Sequence, residues 1–292
     1  MEALSVGLEP AIVDVVRNRK PLTGLGEKEA TIIQLSRELG KHHVTAETYA
    51  RAVKLFGKTD FVDLVDLMAN YSSTAVNLTA ANQWMPPQMK QFLPLPFTQP
   101  DDILPDSRSR IPVVNPDAAP GRGGAGAGPA GGVQVAAPLY QRTLAPPPTG
   151  PGSMGRFAVG LASLEDSVGR PLVDLAVLVT AREHDQQYQW TMAEIAAIKD
   201  GLAPALIDVV RLRKPTAGLG EKEAAIIDFG RELLSKHFVS AETYARAKKV
   251  FGQRDLSDFV VNVIAPRTRD AALLIVFDQH LPPGQKPLLP MP

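Results

Sequence analysis

The sequence predicts an all-α fold. Apolar residues recur at helical spacing between recognisable helix starts and stops, a long segment recurs within the chain, and no run alternates apolar and polar residues as a half-buried strand would. The first strong element is 171–183, with Pro171 in its first turn and apolar side chains at Leu172, Leu175, Ala176, Leu178 and Val179. A second helix runs over 187–199 and stops at Asp200–Gly201. A short helix follows over 204–212. The next, 220–237, carries Glu221 and Glu223 at its positive end and Lys236 and His237 at its negative end. Ser240 caps the helix that starts SAETYARA, but Thr243 stands where a capping-box glutamate belongs, so the box is half made; Thr45 and Thr48 repeat the arrangement. Asp60 and Asp255 are expected to cap the last helices, after the turns Phe56–Gly57 and Phe251–Gly252. Pro266 is expected to kink or break the second of them.

The repeat sets the organisation. GLEPAIVDVVRNRKPLTGLGEKEATIIQLSREL at 7–39 matches GLAPALIDVVRLRKPTAGLGEKEAAIIDFGREL at 201–233, with 23 of 33 positions identical. After one inserted residue the match resumes at 41–60 and 236–255. The copies are unequal: the second is preceded by the helices 171–183 and 187–199, which the first lacks. Three parts follow: a partial copy over 1–97, a Pro/Gly-rich linker over 98–153, and a second copy over 154–292. Within the linker, 112–152 has too little apolar surface to offset its ordering entropy, whereas DDILPDSRSRIPVV is suited to pinning an extended segment to a surface.

Composition removes several function classes. Lys+Arg and Asp+Glu both number 31, so no basic field recommends a nucleic-acid partner. Cysteine is absent, which excludes disulfides, cysteine nucleophiles and thiolate metal sites. The longest apolar run, around Ala271–Phe277, is far too short to span a bilayer, and the N-terminus has no signal-peptide pattern, so a cytoplasmic protein without a membrane partner is expected. The histidines show no metal-binding spacing, and GLGEKEA lacks both the strand and the GK[ST] ending of a phosphate loop. No cofactor and no metal are expected.

The string DLAVLVTAREHDQQYQW, the AxKxGL turn, DVVR, GLxxxE and LLxxHxVSxxTYxRAxxxFG stand in an order that resembles the carboxymuconolactone decarboxylase-like family, related to the alkyl hydroperoxidase D proteins. The resemblance covers nearly all of 155–283 and, for its later two thirds, 7–87. It implies an alkyl hydroperoxidase D-like helical domain, internally duplicated here, of a kind that assembles into homo-oligomers. The peroxidase branch keeps a CxxC pair and a following histidine where this chain has Gln186, Gln189 and Ala193. An amide forms no thiolate, so peroxidase chemistry is excluded. The lactone-decarboxylating branch looks like YEWxxH, against Tyr188, Gln189, Trp190, Thr191, Met192 and Ala193 here, so the usual reacting residues are replaced.

Individual candidates have structural readings beside functional ones. His184, at a helix end, is either a dipole-favoured polar terminus or a catalytic acid/base beside Tyr188. Tyr188, Gln189 and Trp190 are candidate substrate-binding residues, the two aromatics also fitting a core or pocket wall. His42 and His237 hold equivalent places and suggest packing. Glu183 and Asp185 read as surface or helix-end groups. Arg211 and Arg213, echoed by Arg17 and Arg19, are expected to meet Glu221 or Glu27, or else a carboxylated ligand. Two functions remain open: a carboxymuconolactone decarboxylase-like protein acting on a small lactone or aromatic-derived acid, or a catalytically inactive small-molecule-binding or assembly protein. The copies are expected to pair as a homo-oligomer or an intrachain pseudo-dimer.

Overall fold

A computed structural model of the chain describes residues 7–85, 93, 101–105, 107–111 and 152–290, with side chains from residue 160 onward in the helix that starts at Gly152. The Gly-rich stretch read as a linker lies mostly outside the described residues. The described chain is helical and, apart from one isolated bridge between Leu104 and Ser109, contains no extended pairing. None of its helices is long and apolar enough to cross a membrane.

Helices α1 (Pro10–Arg17), α2 (Glu27–Leu39) and α3 (Ala46–Ala80) come from the first similar segment. Helices α4 (Gly152–Val168), α5 (Arg170–Glu183) and α6 (Gln187–Lys199) precede the second. That segment then forms α7 (Pro204–Arg211), α8 (Glu221–Ser235) and α9 (Ala241–Phe259), followed by a π turn (Val260–Ile264) and α10 (Ala265–Val276). Helix α4 has no counterpart among the predicted elements.

The like sequences make like local bonds. Arg37 donates to the carbonyls of Lys20 and Val15, and Arg231 donates to those of Lys214 and Val209. The half-made capping boxes are completed by the preceding helix: Glu38 accepts from the Thr45 backbone N–H at 2.9 Å, and Glu232 accepts from that of Ser240 at 2.9 Å. Burial opposes charge on these two carboxylates, but the converging hydrogen bonds outweigh it and hold both below the usual range. Gly57 (φ 75°, ψ 170°) and Gly252 (φ 74°, ψ 168°) break α3 and α9 at matching places. Asp60 and Asp255 therefore lie three residues past the break, inside the first new turn. They are not the caps expected of them. Pro266 sits in the first turn of α10, directly after the π turn, where a missing N–H is tolerated; the chain changes helical pitch upstream and stays helical through the proline.

Helix α5 is the hub. It is buried on nearly all sides, the polar Asp174, Arg182 and Glu183 included, and packs on α4, α6, α7, α8 and α10. Its approach to α8 requires Gly230, where an added Cβ would lie 2.5 Å from Val179 Cγ1. Ser36 occupies the matching place on α2, which has no α5-like helix of its own to meet.

Two apolar clusters result, and each borrows from the other segment. The larger is built on α5–α9 and includes Val76 and Ala80 from the end of α3. The smaller, around Leu35, Phe61 and Val65, includes Ala272 and Val276 from α10. Arg269 on α10 reaches Asp66 and Asn70 across the seam. Part of the predicted surface strap supplies a further clamp. Arg110 is buried, donates to the Val239 carbonyl at 2.7 Å, pairs with Asp102 and lies 4.7 Å over the Tyr244 ring, while its backbone N–H bonds Ala81.

Candidate functional site

The residues singled out in 184–190 lie close in sequence but face three different environments. His184 ends α5 and lines a cavity between the two similar segments. Tyr188 and Gln189 line another cavity, which shares no lining residue with the first although α10 borders both. Trp190 is fully buried in the larger core, where its indole N–H donates to Glu194 at 2.7 Å. The turn that separates them is set by Asp185 in the left-handed region and by Gln186, whose side-chain oxygen accepts from the backbone N–H groups of Tyr188 (2.7 Å) and Gln189 (3.1 Å) and so caps α6. A shared pocket for His184 and Tyr188, one of the two readings of that histidine, is not what the fold builds.

The intersegment cavity encloses about 700 Å³, within the range of small-ligand sites. It lies against the face of α2 that carries Ser36, where the other segment would have α5. Its walls are mainly apolar, including Leu39, Leu64, Met68, Leu234 and Ile275. Three imidazoles, His42, His184 and His237, break that wall. His42 (φ 60°) and His237 (φ 52°) follow α2 and α8 in left-handed turns, a conformation that histidine adopts more readily than most residues. The equivalence expected between them is thus a shared backbone role that also turns both rings toward one space. The rings of His42 and His184 lie 5.1 Å apart and are tilted by 37°.

His184 is the most constrained of the three, with only 8% of its surface exposed. Its Nδ1 lies 2.8 Å from the Thr180 carbonyl, an acceptor, so Nδ1 carries the proton and Nε2 is left as a lone-pair acceptor. Burial, then the neighbouring His42, lowers its pKa to about 4. Burial lowers that of His42 too. At neutral pH the pair is uncharged, and Nε2 of His184 is suited to accept a hydrogen bond, while the low pKa makes the ring a weak base. Thr268 also lines this cavity, and its hydroxyl is buried without a partner.

Models of known protein families, curated proteins and solved structures give no match to this chain. The chemistry of the site therefore rests on its own geometry.

That geometry corrects several residue-level expectations. Glu183 is buried: one oxygen accepts from Ser235 and lies 3.4 Å from Arg213, and the other has no partner. Arg211 pairs with Glu194 and Asp208, and Arg213 with Glu183 and Asp185, so both arginines form salt bridges, but neither reaches Glu221. Among the described residues no group of three or more His, Asp or Glu is placed to hold a metal ion. Sequence reasoning missed Asp174, a buried carboxylate in the wall of the Tyr188 cavity. A signal existed: it is the one acid within the apolar run LVDLAVLV, four residues after Arg170. Nothing comparable marks His42, whose approach to His184 depends on the packing of two distant segments.

Proposed function

We propose that this is a carboxymuconolactone decarboxylase-like protein that binds a small, largely apolar lactone or aromatic-derived acid in the cavity between its two similar segments. The observation that carries the reading is the meeting of His42, His184 and His237 in one apolar cavity of about 700 Å³. The apolar walls take the ring. His42 and His237 offer ring N–H donors to a carboxylate or lactone oxygen. Nε2 of His184 accepts a hydrogen bond from the ligand and is the candidate acceptor for a ligand proton, a base weakened because burial disfavours its charged form. In this reading the chain is an internally duplicated, alkyl hydroperoxidase D-like fold, and the reciprocal exchange of helix ends makes it an intrachain pseudo-dimer. The motif order over 155–283 supports the family assignment, and the exchanged ends Val76, Ala80, Ala272 and Val276 support the pairing.

A second reading, binding without turnover, is favoured by a specific observation. Gln186 and Gln189, at positions where relatives keep reacting groups, have structural bonds: Gln186 caps α6 and Gln189 donates to the Arg267 carbonyl at 3.0 Å. One experiment separates the readings. A five-membered unsaturated lactone bearing an acetate arm is added to the full chain in D2O, and both binding and deuterium uptake next to its carbonyl are followed by NMR. Saturable binding with uptake that falls by about a hundredfold in His184→Gln, as for loss of a general base, supports the base role. Binding without uptake supports the second reading. Absence of saturable binding overturns both.

A further inference from the structure

Helix α6 carries apolar residues on opposite sides, the pattern of a helix covered all round, yet one side is bare. Its inner side, with Trp190 and Ala197, packs on α5. Along one flank Gln187 and Thr191 bond to the backbone of Leu288 and Leu289. The other flank, with Gln189 and Ala193, borders the Tyr188 cavity of about 500 Å³. Opposite α5, Met192, Ile195 and Ile198 are 40%, 42% and 50% exposed. Single exposed apolar side chains are ordinary, but three on one side of one helix call for a cover.

The bare side has a register. Tyr188, Met192, Ile195 and Lys199 follow one another at intervals of four, three and four residues, which keeps them in line along the helix. That is the spacing of a two-helix seam, and Ile198 widens it at one edge. Charge is nearly absent. Of the two charged residues in α6, Glu194 is buried against Trp190 and Arg211, and Lys199 is the last residue. A strongly acidic or basic partner would find no set of counter-charges here. The fitting partner is a helix with an uncharged apolar line of its own, and α6 is itself such a helix. Among the described residues the chain holds no second copy of it, since the first segment has no counterpart of α6.

We infer that the bare side of α6 docks a second copy of this chain, the two α6 helices packing antiparallel about a twofold axis between Met192 and Ile195. In this register Met192 meets Ile195 of the partner subunit, and Lys199 meets Tyr188 of the partner subunit, where an aromatic ring suits the ammonium group. The twofold makes each of these contacts twice. One helix pair buries less than the roughly 800 Å² per partner of a standard interface, so a Kd on the order of 10–100 µM is expected. None of these residues lines the His184 cavity, so the dimer is independent of a ligand there.

The test is sedimentation of the full chain, which should pass from monomer to dimer between about 1 and 500 µM. Ile195→Lys sets like charges into the seam and is expected to weaken the dimer by about a hundredfold or more. Its helical circular dichroism should stay unchanged, because the position is exposed. Phe238→Lys, at a 53% exposed apolar residue elsewhere, should leave the dimer intact. The absence of native cysteine lets disulfides report the register. Oxidised Met192→Cys/Ile195→Cys should give a covalent dimer. Tyr188→Cys alone should not, because position 188 faces position 199 and so lies eleven residues, about 16 Å, from its own copy along the seam. A disulfide spans no more than about 7 Å between Cα atoms. A chain that stays monomeric, a dimer that survives Ile195→Lys or is lost equally in Phe238→Lys, or the reverse pattern of disulfides overturns the proposal.

Discussion

At the scale of single residues, the properties that decide chemistry come from packing. His184 illustrates this. Its buried ring keeps a neutral form down to about pH 4, whereas in the unfolded chain it takes up a proton near its ordinary value of 6.5. Between these values the unfolded state binds more protons, so stability falls as pH drops from about 6.5 to 4 and is fully present above that window. Urea unfolding at pH 7 and pH 4.5 should show a wild-type loss that exceeds the loss in His184→Gln by about 2 kcal/mol, on the order of two pKa units of linkage. Equal losses in the two proteins would show that this imidazole titrates normally. What the sequence discloses at this scale is residue type: no thiols, amides at 186 and 189, and an isolated acid at 174. Partners are another matter. Glu183 reads as a helix-end group, yet α8 and the Arg213 turn cover it, and the sequence distances of 30 and 52 residues to Arg213 and Ser235 leave no local trace.

At the scale of elements, legibility follows how local the cause is. Helices α5 to α8 are predicted within two residues of their observed ends and α9 at its start, since Pro171, Ser240 and the Gly-containing turns act on their own neighbourhoods. Helix α4 escapes because GSMG continues the composition of the Gly/Pro-rich stretch before it. The capping carboxylates Glu38 and Glu232 escape because they reach their caps across a turn instead of from the third helical position. The breaks at Gly57 and Gly252 yield a prediction whose sign is diagnostic. In a continuous helix, glycine to alanine would stabilise by roughly 1 kcal/mol. Here φ near +75° with ψ near 170° belongs to a region that is essentially glycine's alone. No heavy atom lies within 4 Å of an added Cβ at either position, so the penalty is purely conformational. Gly57→Ala and Gly252→Ala should each destabilise by about 1–3 kcal/mol in denaturant titration. A gain in stability would mean that the helices run straight.

At the scale of the whole molecule, the seam between the two similar segments is part of both cores, which makes their stabilities inseparable. Val76 and Ala80 complete the larger cluster, Ala272 and Val276 complete the smaller, and Arg110 and Arg269 bond across. The first segment has no helix equivalent to α5, so α10 supplies much of its missing cover. A defect deep in the smaller cluster should therefore be felt in the larger. Phe61 is 1% exposed at the centre of the former, and truncation there to alanine costs about 3–5 kcal/mol. Trp190 is buried at the centre of the latter and is one of only two tryptophans; replacing the other, Trp84, by Phe leaves Trp190 as a single reporter. In that background, Phe61→Ala should lower the denaturant midpoint of Trp190 fluorescence and the loss of helical circular dichroism by the same amount, with one transition in each. If the segments instead fold separately, Trp190 would unfold at its unchanged midpoint while part of the helical signal is lost earlier. That divergence would also remove the basis for a shared site, because the His42–His184 pair exists only where the segments meet.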